Sequence, residues 1–194
     1  MKRMTENDRF IVAITGAQGV GKSTFCAKLL TALDTAGLGS FRLIDDLRNR
    51  LELTGVPFGS GSTPETIHAV WVVHLERQVV SGNERTLLDR CVVDALAYTR
   101  VLAVSSDLEQ RLFEQIGRLA LSRLNLIIHL RLSDFFADKG KPHETPQHRH
   151  LVAKEIALIL DGWHGAVLTL DADNPSAVER AVAAVRAALI SDAR

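Results

Sequence analysis

The sequence predicts a three-layer α/β domain, in which helices cover both faces of a five-stranded parallel β-sheet. Five short apolar runs alternate along the 194 residues with segments whose apolar side chains recur at helical spacing. Such alternation favours parallel strands, because each helix returns the chain to the start of the next strand and covers one face of the sheet. A glycine-rich turn after the first apolar run also favours this class, since ligands bind such sheets at the carboxyl ends of their strands.

The first predicted strand, residues 10–15 (F-I-V-A-I-T), leads into the most informative stretch of the chain. Residues 16–24 read G-A-Q-G-V-G-K-S-T and match the phosphate-binding P-loop pattern G-x-x-x-x-G-K-[ST]. Glycines let backbone N–H groups approach phosphate oxygens, and the following helix directs the positive end of its dipole at them. The predicted phosphate-binding residues are Gly16, Gln18, Gly19, Val20, Gly21, Lys22, Ser23 and Thr24.

Two side chains of this P-loop (residues 16–24) carry its chemistry. Lys22 is expected to reach the β- and γ-phosphates of a nucleoside triphosphate, and the Ser23 hydroxyl is expected to ligate Mg²⁺. The alternative is a structural turn with an exposed lysine. The strand before the motif and the helix after it, which Gly37 is placed to end, favour nucleotide binding over that alternative.

The remaining elements follow in order along the chain. Further strands are predicted at residues 40–44, 86–89, 124–132 and 166–170, each a short apolar run. Helices are predicted to begin near residues 63, 92, 106, 145 and 174, where capping residues or prolines precede most of the apolar stripes. We interpret residues 1–8 as a flexible tail and residues 9–194 as one domain, with a polar lid at about residues 134–150.

Composition indicates the setting in which the protein acts. Lys plus Arg and Asp plus Glu number 23 each, so the net charge of zero argues against extended nucleic-acid binding. Cys26 and Cys91 form no spaced disulfide framework, which favours a reducing, cytoplasmic location. The N-terminal residues lack the apolar region of a signal peptide, and no apolar run is long enough to span a membrane. A homodimer is kept open as the assembly state.

Charged residues end two of the predicted strands, at the edge where ligands bind. Asp89 ends the run L-L-D-R and is expected to hold Mg²⁺ directly or through water, while Arg90 clamps phosphate oxygens. Asp45 follows the second strand, where a carboxylate is placed to accept a proton from an attacking hydroxyl. Asp46 is adjacent, so either aspartate is a candidate for the base, and an ordinary polar turn is the alternative for both. Asp94 either supports Arg90 or acts as a first-turn helix acid.

Taken together, these residues resemble a known family. The P-loop, the strand end L-L-D-R followed by V-V-D-A-L-A-Y-T, and the polar segment before a late helix are similar to P-loop nucleoside and nucleotide kinases. The resemblance covers the chain from about residue 9. It points to the small AAA-type ATPase/kinase group that includes the nicotinamide-riboside kinase domain, near the deoxynucleoside and thymidylate kinases. It implies a five-stranded sheet in the order 2-3-1-4-5.

The resemblance also implies an activity, which is Mg²⁺-dependent transfer of the γ-phosphoryl group of ATP to a small acceptor, in the first place a nucleoside or nucleotide. Such kinases often carry E-x-x-R after the second strand, a spacing that Asp45 and Arg48 match with a shorter carboxylate. Their lid arginines correspond here to Lys141 and Arg149. The lysine supplies a point charge and cannot form a bidentate fork.

Two other functions are open at this stage. The chain could be a P-loop NTPase that acts as a regulatory switch or binding module, although it shows no partner-binding tail or repeat. It could also phosphorylate modified bases in DNA, which the zero net charge restricts to a local contact patch.

Overall fold

Five parallel strands form one sheet at the centre of the molecule, in the order β2–β3–β1–β4–β5. The computed structural model describes residues 9–45, 55, 57, 59–81, 84–132 and 145–192. The strands are β1 (Phe10–Thr15), β2 (Arg42–Ile44), β3 (Arg85–Asp89), β4 (Leu126–Arg131) and β5 (Val167–Asp171). All four pairings are parallel, which confirms the predicted fold class and strand order.

Six α-helices of the described residues connect and cover these strands. They are α1 (Lys22–Thr35), α2 (Pro64–Val80), α3 (Val92–Leu102), α4 (Asp107–Leu121), α5 (Pro146–Asp161) and α6 (Ala177–Asp192). Among the described residues, the 3-10 turn Gly59–Gly61 precedes α2. None of the described helices is long and apolar enough to cross a lipid bilayer. The predicted tail and residues 134–144 of the predicted lid lie outside the described residues.

The sheet separates two hydrophobic cores, which gives the three layers. One core is formed by α2, α3, α4 and α5 against the sheet, and the other by α1 and α6. β1 is buried at all six positions, because it lies in the middle of the sheet between both helix layers. This explains why its sequence is continuously apolar, without the alternation of a half-exposed strand.

Three helix starts are held by the side chains that the sequence marked as caps. Thr63, Ser106 and Thr145 each accept a hydrogen bond from the backbone N–H group three residues later. Each cap satisfies one of the N–H groups that have no partner within the helix, a contribution of about 1 kcal/mol.

Trp71 joins three of the four helices in one layer. Its ring stacks on Phe113 of α4, with ring centroids 4.9 Å apart and planes 6° from parallel. Its indole N–H donates to the Thr99 hydroxyl of α3 at 3.0 Å. The buried indole therefore has its polar atom paired, and it fixes α2, α3 and α4 relative to one another.

Candidate active site

The turn between β1 and α1 adopts a backbone that suits glycine. Gly16, Gly19 and Gly21 have φ angles of 151°, 82° and 85°, in a region that side-chain-bearing residues rarely adopt. A Cβ atom on Gly16 would lie 2.4 Å from the carbonyl oxygen of Leu130, at the end of β4. The glycines are thus required both for the turn itself and for its close packing against the sheet.

Lys22 places its ammonium group inside this turn. The residue is buried, and its Nζ donates to the carbonyl oxygens of Gly16 and Ala17, at 2.5 and 2.7 Å. The helix that it begins, α1, has Gly21 at the N-cap, no side-chain cap and no acid in its first turn. Helix dipole, amide donors and a lysine therefore converge here, an arrangement that suits an anion. Ser23 and Thr24 are exposed in the same helical turn.

Asp89 and Arg90 lie beside the strand that leads into the P-loop. Asp89 is buried at the end of β3 and pairs in register with Ile14 of β1. Arg90 has a φ of 69°, and its backbone N–H donates to the Ile14 carbonyl at 3.0 Å. A positive φ at a non-glycine residue costs about 1–2 kcal/mol, so the neighbouring contacts must hold it. The hydrogen bond to Ile14 therefore keeps the Arg90 backbone against the end of β1.

Asp94 holds this strand end together from the first turn of α3. It is buried and accepts hydrogen bonds from the Thr15 hydroxyl at 2.9 Å and the Cys91 backbone N–H at 3.1 Å. Its other oxygen pairs with the Arg90 guanidinium at 3.1 Å. Asp94 therefore fills both roles considered from the sequence, since it caps α3 and also supports Arg90.

His129 lies next to the P-loop without adding charge to it. It is buried in β4, opposite Thr15 of β1. Burial lowers the pKa of its imidazole to about 4, with Arg131 and Lys22 acting in the same direction and Asp94 opposing them. At neutral pH the ring is therefore uncharged.

Arg77 is a site residue that sequence reasoning missed. It is buried in α2, and its Nη2 donates to the carbonyl oxygens of Ile44 and Asp89, at 2.7 Å each. These carbonyls end the neighbouring strands β2 and β3. One guanidinium therefore fixes the two strand ends that carry the predicted acids Asp45 and Asp89. No sequence signal pointed to this role, because α2 also carries Glu65 and Glu76 and an arginine in such a helix is usually exposed.

Asp45 lies at the same edge of the sheet as Asp89. It is exposed and directly follows β2, whose residue Ile44 is opposite Leu88 of β3. This register puts Asp45 level with Asp89 on the adjacent strand. Asp46 and Arg48 lie outside the described residues, so the choice between the two aspartates is unchanged.

Arg149 reaches the P-loop from a helix and not from an extended lid. It is buried in the first turn of α5, and its Nε donates to the Gln18 carbonyl oxygen at 3.0 Å. A Cβ atom on Gly19 would lie 2.9 Å from its Nη2. Lys141, the other predicted lid cation, lies outside the described residues. The site thus brings together the P-loop, Asp45, Asp89, Arg90 and Arg149; among the described residues it contains no cluster of three histidines, cysteines or acids suited to a metal.

No protein-family model matches the chain, and no curated protein matches it. Among solved structures it is similar to the NadR protein in complex with NR, with a TM-score of 0.71 and 16% identity, over 95% of this chain and 52% of that one. A NadR structure in complex with NAD and AMP-PNP gives a TM-score of 0.69 at 14% identity, over 95% of this chain and 50% of that one.

The chain is also similar to deoxyadenosine kinase from M. mycoides with the products dCMP and dCDP bound. The TM-score is 0.65 and the identity 15%, over 94% of this chain and 100% of that one. By contrast, the chain spans only about half the length of the NadR structures. At these identities the likeness shows the fold, which is the one that the resemblance to P-loop nucleoside kinases implied.

Replacing Arg77 with methionine should destabilise the protein through the strand ends. The variant leaves the carbonyl oxygens of Ile44 and Asp89 without this donor, so the free energy of unfolding should fall by about 3 kcal/mol. Urea denaturation followed by circular dichroism measures it. Arg186→Met, on the exposed face of α6, is the control and should change stability by less than about 0.5 kcal/mol. Equal stability of the two variants would contradict the bridging role of Arg77.

Proposed function

We propose that the protein is a P-loop phosphotransferase that moves the γ-phosphoryl group of ATP to a small acceptor, in the first place a nucleoside or nucleotide. The observation that carries this proposal is the buried Lys22 ammonium, enclosed by a glycine turn at a helix N-terminus that has no side-chain cap. A fold shared with a deoxyadenosine kinase along that protein's whole length supports the choice of acceptor class.

The P-loop fits a triphosphate on steric and electrostatic grounds. At Gly16 and Gly19 a Cβ atom would meet neighbouring atoms at 2.4 and 2.9 Å, so glycine is what allows the backbone to close so tightly. Lys22 and Arg149 both donate to carbonyl oxygens of the loop, which keeps two cations beside the amide donors. ATP would meet backbone N–H groups and two positive charges on the same turn.

The acid and hydroxyl at this edge fit Mg²⁺. The Ser23 hydroxyl and the Asp89 carboxylate are hard oxygen ligands of the kind that Mg²⁺ prefers, and they would hold it directly or through water. When bound, the ion would neutralise charge on the phosphate oxygens during transfer.

The remaining residues would act on the acceptor and on the transferred group. Asp45 orients the acceptor hydroxyl and takes up its proton, while Arg90 lies beside the phosphoryl oxygens. Arg77 holds the ends of β2 and β3, which carry Asp45 and Asp89, at a fixed separation through its two 2.7 Å hydrogen bonds. Such positioning supplies much of the acceleration in phosphoryl transfer, because attacking and leaving oxygens must be in line.

The deciding experiment incubates the protein with ATP, Mg²⁺ and a panel of nucleosides and nucleotides. Mass spectrometry of the products identifies the acceptor by a gain of one phosphoryl group. ATP hydrolysis that no acceptor stimulates would favour the switch NTPase instead, and phosphorylation of an oligonucleotide carrying modified bases alone would favour the DNA-directed kinase.

Lys22→Met should abolish transfer while the protein remains folded. The variant keeps the aliphatic part of the side chain and removes the charge at the phosphates, so turnover should fall by at least about 10²–10³-fold. The matched control is Lys28→Met, which changes an exposed lysine of the same helix. ADP release by folded variants measures both. Normal turnover of Lys22→Met would remove the basis for nucleotide processing at this loop.

Asp45→Asn should lower acceptor-stimulated turnover by roughly 10²–10⁴-fold, the usual contribution of a positioned general base. ATP binding and slow background hydrolysis should barely change, because Lys22 and Ser23 are intact. Steady-state ADP release with and without acceptor tests this, with the exposed Asp34→Asn as the control. Stimulated turnover that survives Asp45→Asn would move the base role to Asp46 or to no residue.

We also propose that the protein acts in the cytoplasm. Cys26 and Cys91 are both buried, and neither forms a disulfide. Burial raises the pKa of the Cys91 thiol, so this side chain stays protonated and is a poor nucleophile. Both observations fit structural cysteines in a reducing compartment.

The proposed assembly is a homodimer, and the outer face of α2 and α4 is its candidate interface. Trp71 and Phe113 stack beneath this face, so the two helices lie side by side. Large aliphatic side chains on the face are 51–71% exposed. They are Val72, Val79, Leu108, Leu112 and Leu119. An apolar face of this kind marks an interaction surface.

Charge favours a second copy of the chain as the occupant of this face. The exposed acids of α2 are Glu65 and Glu76, whereas beyond its first turn the exposed charges of α4 are Arg111 and Arg118. A two-fold axis along the helices would lay α2 of one subunit over α4 of the other. Trp71 stacks on Phe113, and Glu76 and Arg118 each lie five residues further along their helices. Glu76 would then lie near Arg118 of the partner subunit. The acidic and the basic helix are thus complementary in a closed dimer.

Leu112→Glu should convert the dimer to a monomer that remains folded, because this side chain is exposed in one subunit and buried at the interface. Leu158→Glu is the matched control, since Leu158 on α5 is equally exposed at 51% and lies outside the proposed face. Arg118→Glu should weaken the dimer, and adding Glu76→Arg should restore it. Sedimentation velocity measures each mass. A monomeric wild type, or a dimer that survives Leu112→Glu, would disprove this interface.

A further inference from the structure

Gln18, the third residue of the P-loop, carries an amide that is enclosed by the protein. The residue is only 4% exposed, and neither Oε1 nor Nε2 has a hydrogen-bond partner among the described residues. Buried polar groups are paired in the large majority of cases, so an enclosed amide with two unpaired atoms requires a physical reason. The P-loop pattern leaves this position open, and the glutamine is therefore a feature of this chain.

The backbone at Gln18 is held in place although its side chain is unpaired. The Gln18 carbonyl oxygen accepts a hydrogen bond from Arg149 Nε at 3.0 Å. At Gly19, the next residue, a Cβ atom would already meet the same guanidinium at 2.9 Å. A shift of the loop that paired the amide elsewhere would break this contact. The backbone that carries the amide is therefore fixed, while the amide itself is unsatisfied.

We propose that the Gln18 amide is a specificity-determining contact to the phosphoryl acceptor, an inference that rests on the proposed kinase function. An amide presents two donors on nitrogen and an acceptor on oxygen. Phosphate oxygens only accept, so the ATP phosphates at this loop would pair Nε2 and leave Oε1 without a donor. A sugar hydroxyl or a base edge both donates and accepts. The partner that satisfies both atoms is therefore a neutral polar group on the acceptor.

If this assignment is correct, removing the Gln18 amide should raise the thermal stability of the protein and weaken its binding of the acceptor. Gln18→Leu replaces the amide with an apolar side chain of similar volume, which removes an unsatisfied buried group. The ligand-free variant should melt at least about 2 °C higher than wild type. The KM for the acceptor should rise by about tenfold, the loss expected for roughly one well-formed hydrogen bond. Stabilisation by a non-hydrolysable ATP analogue alone should not change, because Gln18 would contact phosphate through its backbone N–H group, which the substitution keeps.

Two further variants keep the test decisive. Ser105→Ala removes another buried side-chain oxygen that has no partner among the described residues, in the turn between α3 and α4. It lies outside the P-loop and should leave the acceptor KM unchanged. Gln18→Asn keeps the amide but withdraws it by one methylene, so it should raise the KM for the acceptor even if Gln18→Leu does not fold.

Thermal melting, with and without the ATP analogue, and steady-state ADP release distinguish the outcomes. If the wild type is neither stabilised by the analogue nor stimulated by any acceptor, the kinase proposal itself is wrong, and the inference for Gln18 ends with it. If the wild type passes both tests and the Gln18 variants keep the acceptor KM within about twofold, the kinase proposal stands and the inference for Gln18 is overturned. Loss of analogue binding in Gln18→Leu would also overturn it, because the amide would then contact phosphate.

Discussion

The structure depends on one steric constraint, the contact between the turn after β1 and the end of β4. Gly16 lies so close to the Leu130 carbonyl that a single added carbon atom would collide with it at 2.4 Å. This contact fixes where the chain leaves the sheet, and therefore where α1 begins. Because α1 begins there, the Lys22 ammonium is enclosed by the carbonyls of its own turn. The position of Gly16 thus determines where the Lys22 ammonium group lies.

Two buried charged side chains also fix the ends of the neighbouring strands. Asp94 connects the ends of β1 and β3 through Thr15 and Arg90, and Arg77 connects the ends of β2 and β3 through their carbonyl oxygens. Burial of a charge is costly unless hydrogen bonds offset the loss of water. Asp94 accepts three such bonds, and Arg77 donates two. The candidate catalytic residues are consequently attached to a rigid sheet edge, which is the preorganisation that an in-line transfer needs.

Local patterns in the sequence predicted the fold and the P-loop, whereas the supporting contacts could not be predicted from them. Some features depend only on residues a few positions apart, so the sequence alone predicts them. Examples are the continuous apolar run of β1 and the cap residues Thr63 and Ser106. Arg77 reaches Ile44 across 33 positions, Asp94 reaches Thr15 across 79, and Arg149 reaches Gln18 across 131. Nothing in a sequence pattern specifies such pairs, because they exist only once the strands are side by side.

The hydrogen bonds of the loop cations indicate how the proposed binding of a triphosphate would be prepared. Lys22 and Arg149 donate to carbonyl oxygens of residues 16–18, so their charges lie close to the turn while the helix N-terminus faces the same space. A carbonyl dipole attracts a cation less strongly than a phosphate does, so a triphosphate bound as proposed would gain from both groups without a large rearrangement. Since the chain as a whole has no net charge, this attraction is local to the loop and does not extend to polyanions in general. The positive character of the site is a product of its folding, not of its composition.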